Sequence, residues 1–262
     1  MDKIVIITGG TSGIGLETAK FLRNAGCKVY EFSRRAGDYP FMHHMQVDIS
    51  DEAQVYAAVE QVAAWEGRID VLVNNAGFGI SGAFEFTDAA DARRLMDVNL
   101  FGMNNTIRAV LPHMRRAGRG RIVNLSSVAG PLPIPFQAWY SISKAAVNAL
   151  TMALANEVHC YGISVCCVMP GDIKTGFTAA RQKSIASDDV YGGRISRSVS
   201  RMEKDEQTGM NPAVAGRYIA HLALKKRVKP YNTIGIMYKG CILLSKILPG
   251  SLIRFILEKM YG

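Results

Sequence analysis

Lys3-Ile4-Val5-Ile6-Ile7-Thr8-Gly9-Gly10-Thr11-Ser12-Gly13-Ile14-Gly15 decides the fold of this chain. Lys3–Thr8 is a continuous β-branched run, the pattern of a strand covered on both faces. The glycines let the backbone turn sharply, and Ile14–Ala25 follows at helical spacing and stops at Gly26. The alternation continues outward. Cys27–Ser33, Met42–Val47, Asp70–Asn74, Arg121–Ser126 and Ile163–Met169 read as strands, and about Ala92–Arg116 and Ala138–Tyr161 as long helices. Ser50 is expected to cap a helix that carries Asp51 and Glu52 in its first turn. Repeated β-α alternation implies parallel strands with right-handed crossovers: an α/β, doubly wound sheet.

A chain of 262 residues, 48% of them apolar, fits one such domain and is not disordered. We expect a core domain over 1–237, with a mobile segment at 172–210, and an amphipathic helical tail over 238–262. No apolar run approaches the ~18–20 residues of a membrane span. Met1-Asp2 leads at once into the first strand, so no signal peptide is expected. Five cysteines show no paired metal spacing, and no metal is expected; Cys166 and Cys167 sit in an apolar run, which points to a reducing, cytoplasmic setting. The net charge is +9, and from Asn211 onward nine Lys/Arg face one acid, Glu258, which gives 9 − 1 = +8. No nucleic-acid motif or aromatic platform accompanies these cations. An anionic membrane surface is the partner they fit, against the plainer reading of a solvated basic face.

A glycine-rich turn between a first strand and a helix places free amides against a phosphate, so Gly9, Thr11, Ser12, Gly13, Ile14 and Gly15 are candidates to cradle a dinucleotide. The plain alternative is an ordinary βα turn. At the end of the second strand, where an acid would bind the adenine ribose, stand Ser33 and Arg34. A small hydroxyl leaves room for a 2′-phosphate and a guanidinium binds it, so NADP(H) is the expected cofactor. Glu31, two residues earlier on the same strand face, opposes that reading. Tyr140 and Lys144, four apart on a helix, share a face. A neighbouring ammonium is expected to lower the phenol pKa and make Tyr140 an acid–base group. Ser127, at the carboxyl end of a parallel strand, is placed to hold a substrate oxygen; alone it is also an ordinary turn serine.

Together with Asp48, Asn74-Asn75-Ala76-Gly77, Asn99 and Pro170-Gly171 through Thr175, these residues resemble the single-domain, NAD(P)-dependent branch of the short-chain dehydrogenase/reductase family, over about residues 3–236. The resemblance implies a Rossmann fold and hydride transfer between NADP(H) and a carbonyl or secondary alcohol. It implies that Asp48 and the adjoining Ile49 hold adenine, and that Asn75, Ala76 and Gly77 support the cofactor. It implies that Asn99 holds a water in a relay through Lys144, and that Lys144 also binds the nicotinamide ribose. Pro170 and Gly171 lead into Ile173 and Thr175, which would grip the carboxamide. The Tyr-x3-Lys spacing speaks against the enoyl-reductase relatives. The Asn74–Gly79 and Pro131–Phe136 segments look more like hydroxysteroid- and retinoid-type relatives, with a 3-oxoacyl reductase-like enzyme as the alternative.

Phe78, Ile80, Phe84, Val128, Leu132, Ile134, Phe136 and Phe177 are expected near the Tyr140 hydroxyl, which favours a bulky apolar alcohol or ketone. In the tail, Leu252, Ile253, Ile256, Leu257 and Met260 form one stripe that is expected to cap the pocket, join subunits of a homo-oligomer or rest on lipid. A non-catalytic NADP-binding regulator and a peripheral membrane protein on the same fold are the rival readings.

Overall fold

The computed structural model describes residues 2–184 and 188–262. In chain order its elements are β1 (Ile4–Thr8), α1 (Gly13–Asn24), β2 (Lys28–Ser33), β3 (His43–Gln46), α2 (Glu52–Glu66), β4 (Val71–Asn74), β5 (Ile80–Gly82), α3 (Ala89–Met96), α4 (Met103–Ala117), β6 (Gly120–Leu125), α5 (Ala138–Val158), β7 (Ile163–Met169), α6 (Phe177–Ala180), β8 (Gln182–Ser184), α7 (Arg194–Gln207), α8 (Pro212–Leu224), β9 (Tyr231–Thr233), α9 (Ile236–Ser245) and α10 (Gly250–Tyr261). Seven strands form one parallel sheet in the order β3-β2-β1-β4-β6-β7-β9. The direction of winding reverses between β1 and β4, so a crevice opens beyond their carboxyl ends, where ligands bind in sheets of this kind.

The β-branched strands have two apolar faces, and helices cover both. Val55, Val59 and Val62 of α2, Ile107 and Val110 of α4, and Val147 of α5 pack on one side of the sheet. Leu22 of α1 and Ala215 and Ile219 of α8 pack on the other. Helices α1 and α8 approach closely because Gly216 has no side chain; a Cβ there would lie 2.6 Å from Glu17 Cβ.

Three local expectations are corrected. The helix read over Ala92–Arg116 is interrupted: between α3 and α4, Asp97–Gly102 form a π-helical turn that buries Asn99. The widened turn lets the Asn99 carboxamide reach a neighbouring loop, a use typical of π-bulges. The cap of α2 is Asp51, which accepts from Gln54 N, and not Ser50, whose hydroxyl donates to Asp48 Oδ1 at 2.6 Å. Segment 172–210 is also less irregular than its polarity implied. It carries β8, paired to β5, and the 14-residue α7, which buries Ile195, Ser198, Val199 and Met202 at helical spacing. Residues 185–187 of that segment lie outside the described residues.

Candidate active site

At the crevice, the glycine turn is tied to the end of β4. Asn75 Nδ2 donates to Thr8 O (3.0 Å) and Gly9 O (2.8 Å), and the Asn75 and Ala76 amides donate to Thr8 Oγ1. A Cβ at Gly15 would fall 2.3 Å from Gly9 O, so this glycine is required by the turn's own packing. Gly9 and Gly13 have φ of +65° and +54°, left-handed values that favour glycine. Across the crevice, the chain leaving β7 crosses the turn, and Thr175 sits 3.4 Å from where a Gly13 Cβ would be.

One cavity of about 660 Å³ runs from the glycine turn to Tyr140. Of the expected cofactor residues, Gly9, Thr11, Ser12, Gly13, Ile14, Ser33, Arg34, Asp48, Ile49, Asn75, Ala76, Gly77, Pro170, Gly171, Ile173 and Thr175 all line it, as do Tyr140 and Lys144. Gly15 does not, since it packs behind the turn. Glu31 turns out of the crevice. It is fully buried, accepts from Gly10 N (2.8 Å), Ser33 Oγ (3.2 Å) and His44 Nδ1 (2.6 Å), and so braces the turn. The acid that opposed a 2′-phosphate is thus spent on the backbone, while Arg34 and Arg35 line the cavity.

At the other end, Ser127 follows β6 and lines the cavity beside Tyr140. Burial pushes the Tyr140 phenol up to about 12, against a hydrogen bond with Ser127 and the Arg181 charge, which pull it down. Burial pushes Lys144 down to about 8. Lys144 Nζ donates to Leu125 O at 2.9 Å and lies 5.6 Å from the Tyr140 ring centroid. The expectation that the Lys144 ammonium brings Tyr140 towards neutral pH is therefore not met by this geometry, because desolvation dominates both groups. Asn99 is buried outside the cavity. Its Nδ2 donates to Phe78 O (2.9 Å) and Ser143 Oγ (3.2 Å), and its Oδ1 accepts from Phe78 N (3.0 Å). Its side chain holds the loop after β4. Gly77 lies where both meet: a Cβ there would be 2.9 Å from Asn99 Oδ1 and 3.8 Å from Lys144 Nζ.

The expected apolar wall is half present. Phe78, Val128, Ile134 and Phe177 line the cavity. Ile80 is buried in β5, Phe84 is exposed and stacks on Trp139, and Leu132 packs on the Cys167–Met169–Ile242 cluster. Phe136 points into the Ala83–Ile195–Val199 cluster, held at φ +59° with its carbonyl accepting from Gly82 N. Residues that sequence reading missed take their places: Arg94, Gln137, Asp172, Ala180, Gln182, Met202, Glu206 and Tyr261. Asp172 had a signal, since it directly follows Pro170-Gly171. Met202 and Glu206 belong to α7, and their four-residue spacing on that helix was the only trace.

The short chain dehydrogenase family model matches residues 3–186. The chain belongs to the short-chain dehydrogenase/reductase family. It is 39% identical to a 3-ketodihydrosphingosine reductase of Bacteroides thetaiotaomicron over 265 aligned positions, covering 99% of this chain and 98% of that one. Among solved structures it resembles a 3-ketoacyl-(acyl-carrier-protein) reductase of Brucella melitensis complexed with NADH (27% identical, TM-score 0.75, covering 88% of this chain and 96% of that one). It also resembles ElxO with NADP bound (28% identical, TM-score 0.76, covering 92% of this chain and 100% of that one). Members of this family thus hold either nicotinamide dinucleotide, and this chain is an oxidoreductase acting on CH–OH groups and their carbonyls.

Proposed function

We propose that this protein reduces the ketone of a long-chain apolar substrate with NADPH. The observation that carries the reading is a single cavity with Arg34 and Ser33 at one end and the Tyr140–Ser127 pair at the other. The glycine turn with Asp48, Asn75, Ile173 and Thr175 would hold a nicotinamide dinucleotide along it, which would supply a hydride to the carbonyl carbon. The Ser127 hydroxyl steadies the carbonyl oxygen, and Tyr140, protonated well beyond neutral pH, gives it a proton. Lys144, anchored on Leu125 O, supplies positive charge beneath the phenol. Asn99 positions the Phe78 loop rather than touching the reacting atoms.

Three observations support NADP(H): Arg34 lines the cavity, Ser33 stands at the strand end, and Glu31 is committed to Gly10 and His44. The near full-length likeness to the ketodihydrosphingosine reductase favours a long-chain ketone over a steroid or retinoid. NADPH consumption with long-chain, steroid, retinoid and 3-oxoacyl ketones tests this. Preference for NADH would refute the cofactor reading, and preference for a steroid or retinoid would restore the hydroxysteroid-like one. No consumption with any ketone would favour a non-catalytic NADP-binding regulator.

We further propose that the tail rests on an anionic membrane surface. Of its apolar stripe, Ile253 and Leu257 turn inward with Tyr261, whereas Leu252, Ile256 and Met260 are exposed. Nine of the seventeen exposed large hydrophobics among the described residues fall between Ile236 and Met260, including Ile236, Met237, Ile247 and Phe255. Lys239, Lys246, Arg254 and Lys259 are interleaved with them. Such a face fits the bilayer interface, and no helix among the described residues is long and apolar enough to cross it. A second copy is the competing occupant, as a homo-oligomer would provide, but a face this basic repels its own image. Flotation with anionic and with neutral vesicles, alongside light scattering, separates the two. Binding to anionic vesicles supports docking, and a dimer lost on truncation after Met237 refutes it. A reducing, cytoplasmic setting belongs to the same proposal, on the placement of Cys166 and Cys167 in the apolar core, where burial pushes both thiols up and leaves them inert.

A further inference from the structure

Asp172 lines the reaction cavity immediately after Pro170-Gly171, at the carboxyl end of β7. Its conformation is held by the tail. Tyr238 donates to Asp172 Oδ2 at 2.6 Å, and Asp172 N donates back to the Tyr238 hydroxyl at 3.1 Å. The Tyr238 ring lies flat against Gly171, where a Cβ would collide at 2.1 Å. Asp172 Oδ1 has no hydrogen-bond partner among the described residues. The neighbouring acids differ. Glu206 is paired to Arg181 and accepts from Thr178 Oγ1 at 2.5 Å, and Asp205 is paired to Arg201 at 3.0 Å. Asp172 forms no ion pair among the described residues.

An uncompensated carboxylate here works against the reaction. Asp172 is close enough to Tyr140 for its charge to oppose loss of the phenolic proton, as does Glu206. The Arg181 guanidinium, whose charge acts on both Asp172 and Tyr140, already serves Glu206. A reductase whose Tyr140 must release a proton gains nothing from a fixed negative charge beside it, unless the substrate brings a positive one. A substrate cation would cancel the field at Tyr140 and, placed next to the carbonyl, would draw electron density from the carbon that accepts hydride. One free carboxylate oxygen suits a primary ammonium, whereas a guanidinium prefers two.

We infer that Asp172 is the ammonium-binding, specificity-determining residue of this site, selecting ketones with a primary amine on the carbon adjacent to the carbonyl. This rests on the reductase reading above and narrows its substrate class to long-chain amino ketones. Tyr238 is its positioning residue.

The test compares a long-chain 2-amino-3-ketone with its N-acetyl derivative, both with NADPH, in the wild type and in Asp172→Asn. Asparagine keeps an acceptor for Tyr238, so the fold and NADPH affinity provide the control. The wild type should prefer the free amine. Asp172→Asn should lower the ratio of kcat/KM for amine over N-acetyl ketone about tenfold or more, mainly through KM for the amine. Tyr238→Phe, which frees the carboxylate to rotate, should lower the same ratio by less. Equal turnover of both ketones by the wild type, or an unchanged ratio in Asp172→Asn, would overturn the inference and leave the reductase reading standing. Turnover of neither ketone would remove both.

Discussion

The two ends of the cavity are built differently. The glycine-turn end is backbone against backbone: Thr8, Gly9, Asn75 and Gly15 lock one another through amides, carbonyls and missing side chains. The substrate end is assembled from side chains that arrive from distant elements: Tyr140 from α5, Asp172 from the loop after β7, Met202 and Glu206 from α7, and Tyr261 from the penultimate position. A backbone site tolerates few residue types and leaves a local pattern. A side-chain site depends on how helices pack, and it can change while the fold stays the same.

The sharpest way to break this contrast is Tyr140→Phe. The ring and its contact with Phe177, at 5.7 Å between centroids, remain, and only the transferable proton is lost. Turnover should fall by about 10²-fold or more while NADPH binding, followed by fluorescence, is retained. Near-normal turnover would show that the proton comes from elsewhere. At the opposite end, Arg34→Glu should weaken NADPH binding by about tenfold or more and leave NADH nearly unaffected, because a carboxylate repels the 2′-phosphate. Equal weakening of both would mean that Arg34 supports the turn rather than the phosphate.

What was legible in the sequence follows the same division. The β-α alternation, the glycine turn and the Tyr140/Lys144 pair could be read because each is a short-range pattern imposed by backbone geometry. The π-turn at Asn99 could not, because it is stabilised by Phe78, twenty-one residues away in sequence. Nor could the fate of Glu31, which alternation placed on the face of Ser33 but which the Gly10 amide draws inward. Half of the apolar wall was misplaced because Phe84, Phe136 and Leu132 find partners in separate small clusters. Segment 172–210 looked irregular because α7 is largely polar and shows only a narrow buried stripe.

A pH profile gives a moderate effect. Lys144 has a folded-state pKa lowered to about 8, so its ammonium is present below that pH and is lost above it; Tyr140, raised to about 12, stays protonated throughout. The rate of ketone reduction should therefore hold below about pH 8 and decline several-fold above it. A rate that climbs through this range would show that Lys144 charge is not required. The smallest expected effect concerns the segment over the substrate end. If 172–210 closes on ligand as a mobile lid, amide exchange across α7 should slow when NADPH and ketone are both present, and less with NADPH alone. Unchanged exchange would make that end as rigid as the glycine turn.

The central claim is hydride transfer to a ketone carbon within this cavity. Purified protein, NADPH deuterated at the transferable position and a long-chain amino ketone, analysed by mass spectrometry, test it most directly. One deuterium is expected on the carbinol carbon of the product in the wild type, with labelled product formed about 10²-fold or more slowly by Tyr140→Phe. Unlabelled alcohol, or labelled product at an undiminished rate in the variant, would contradict the claim.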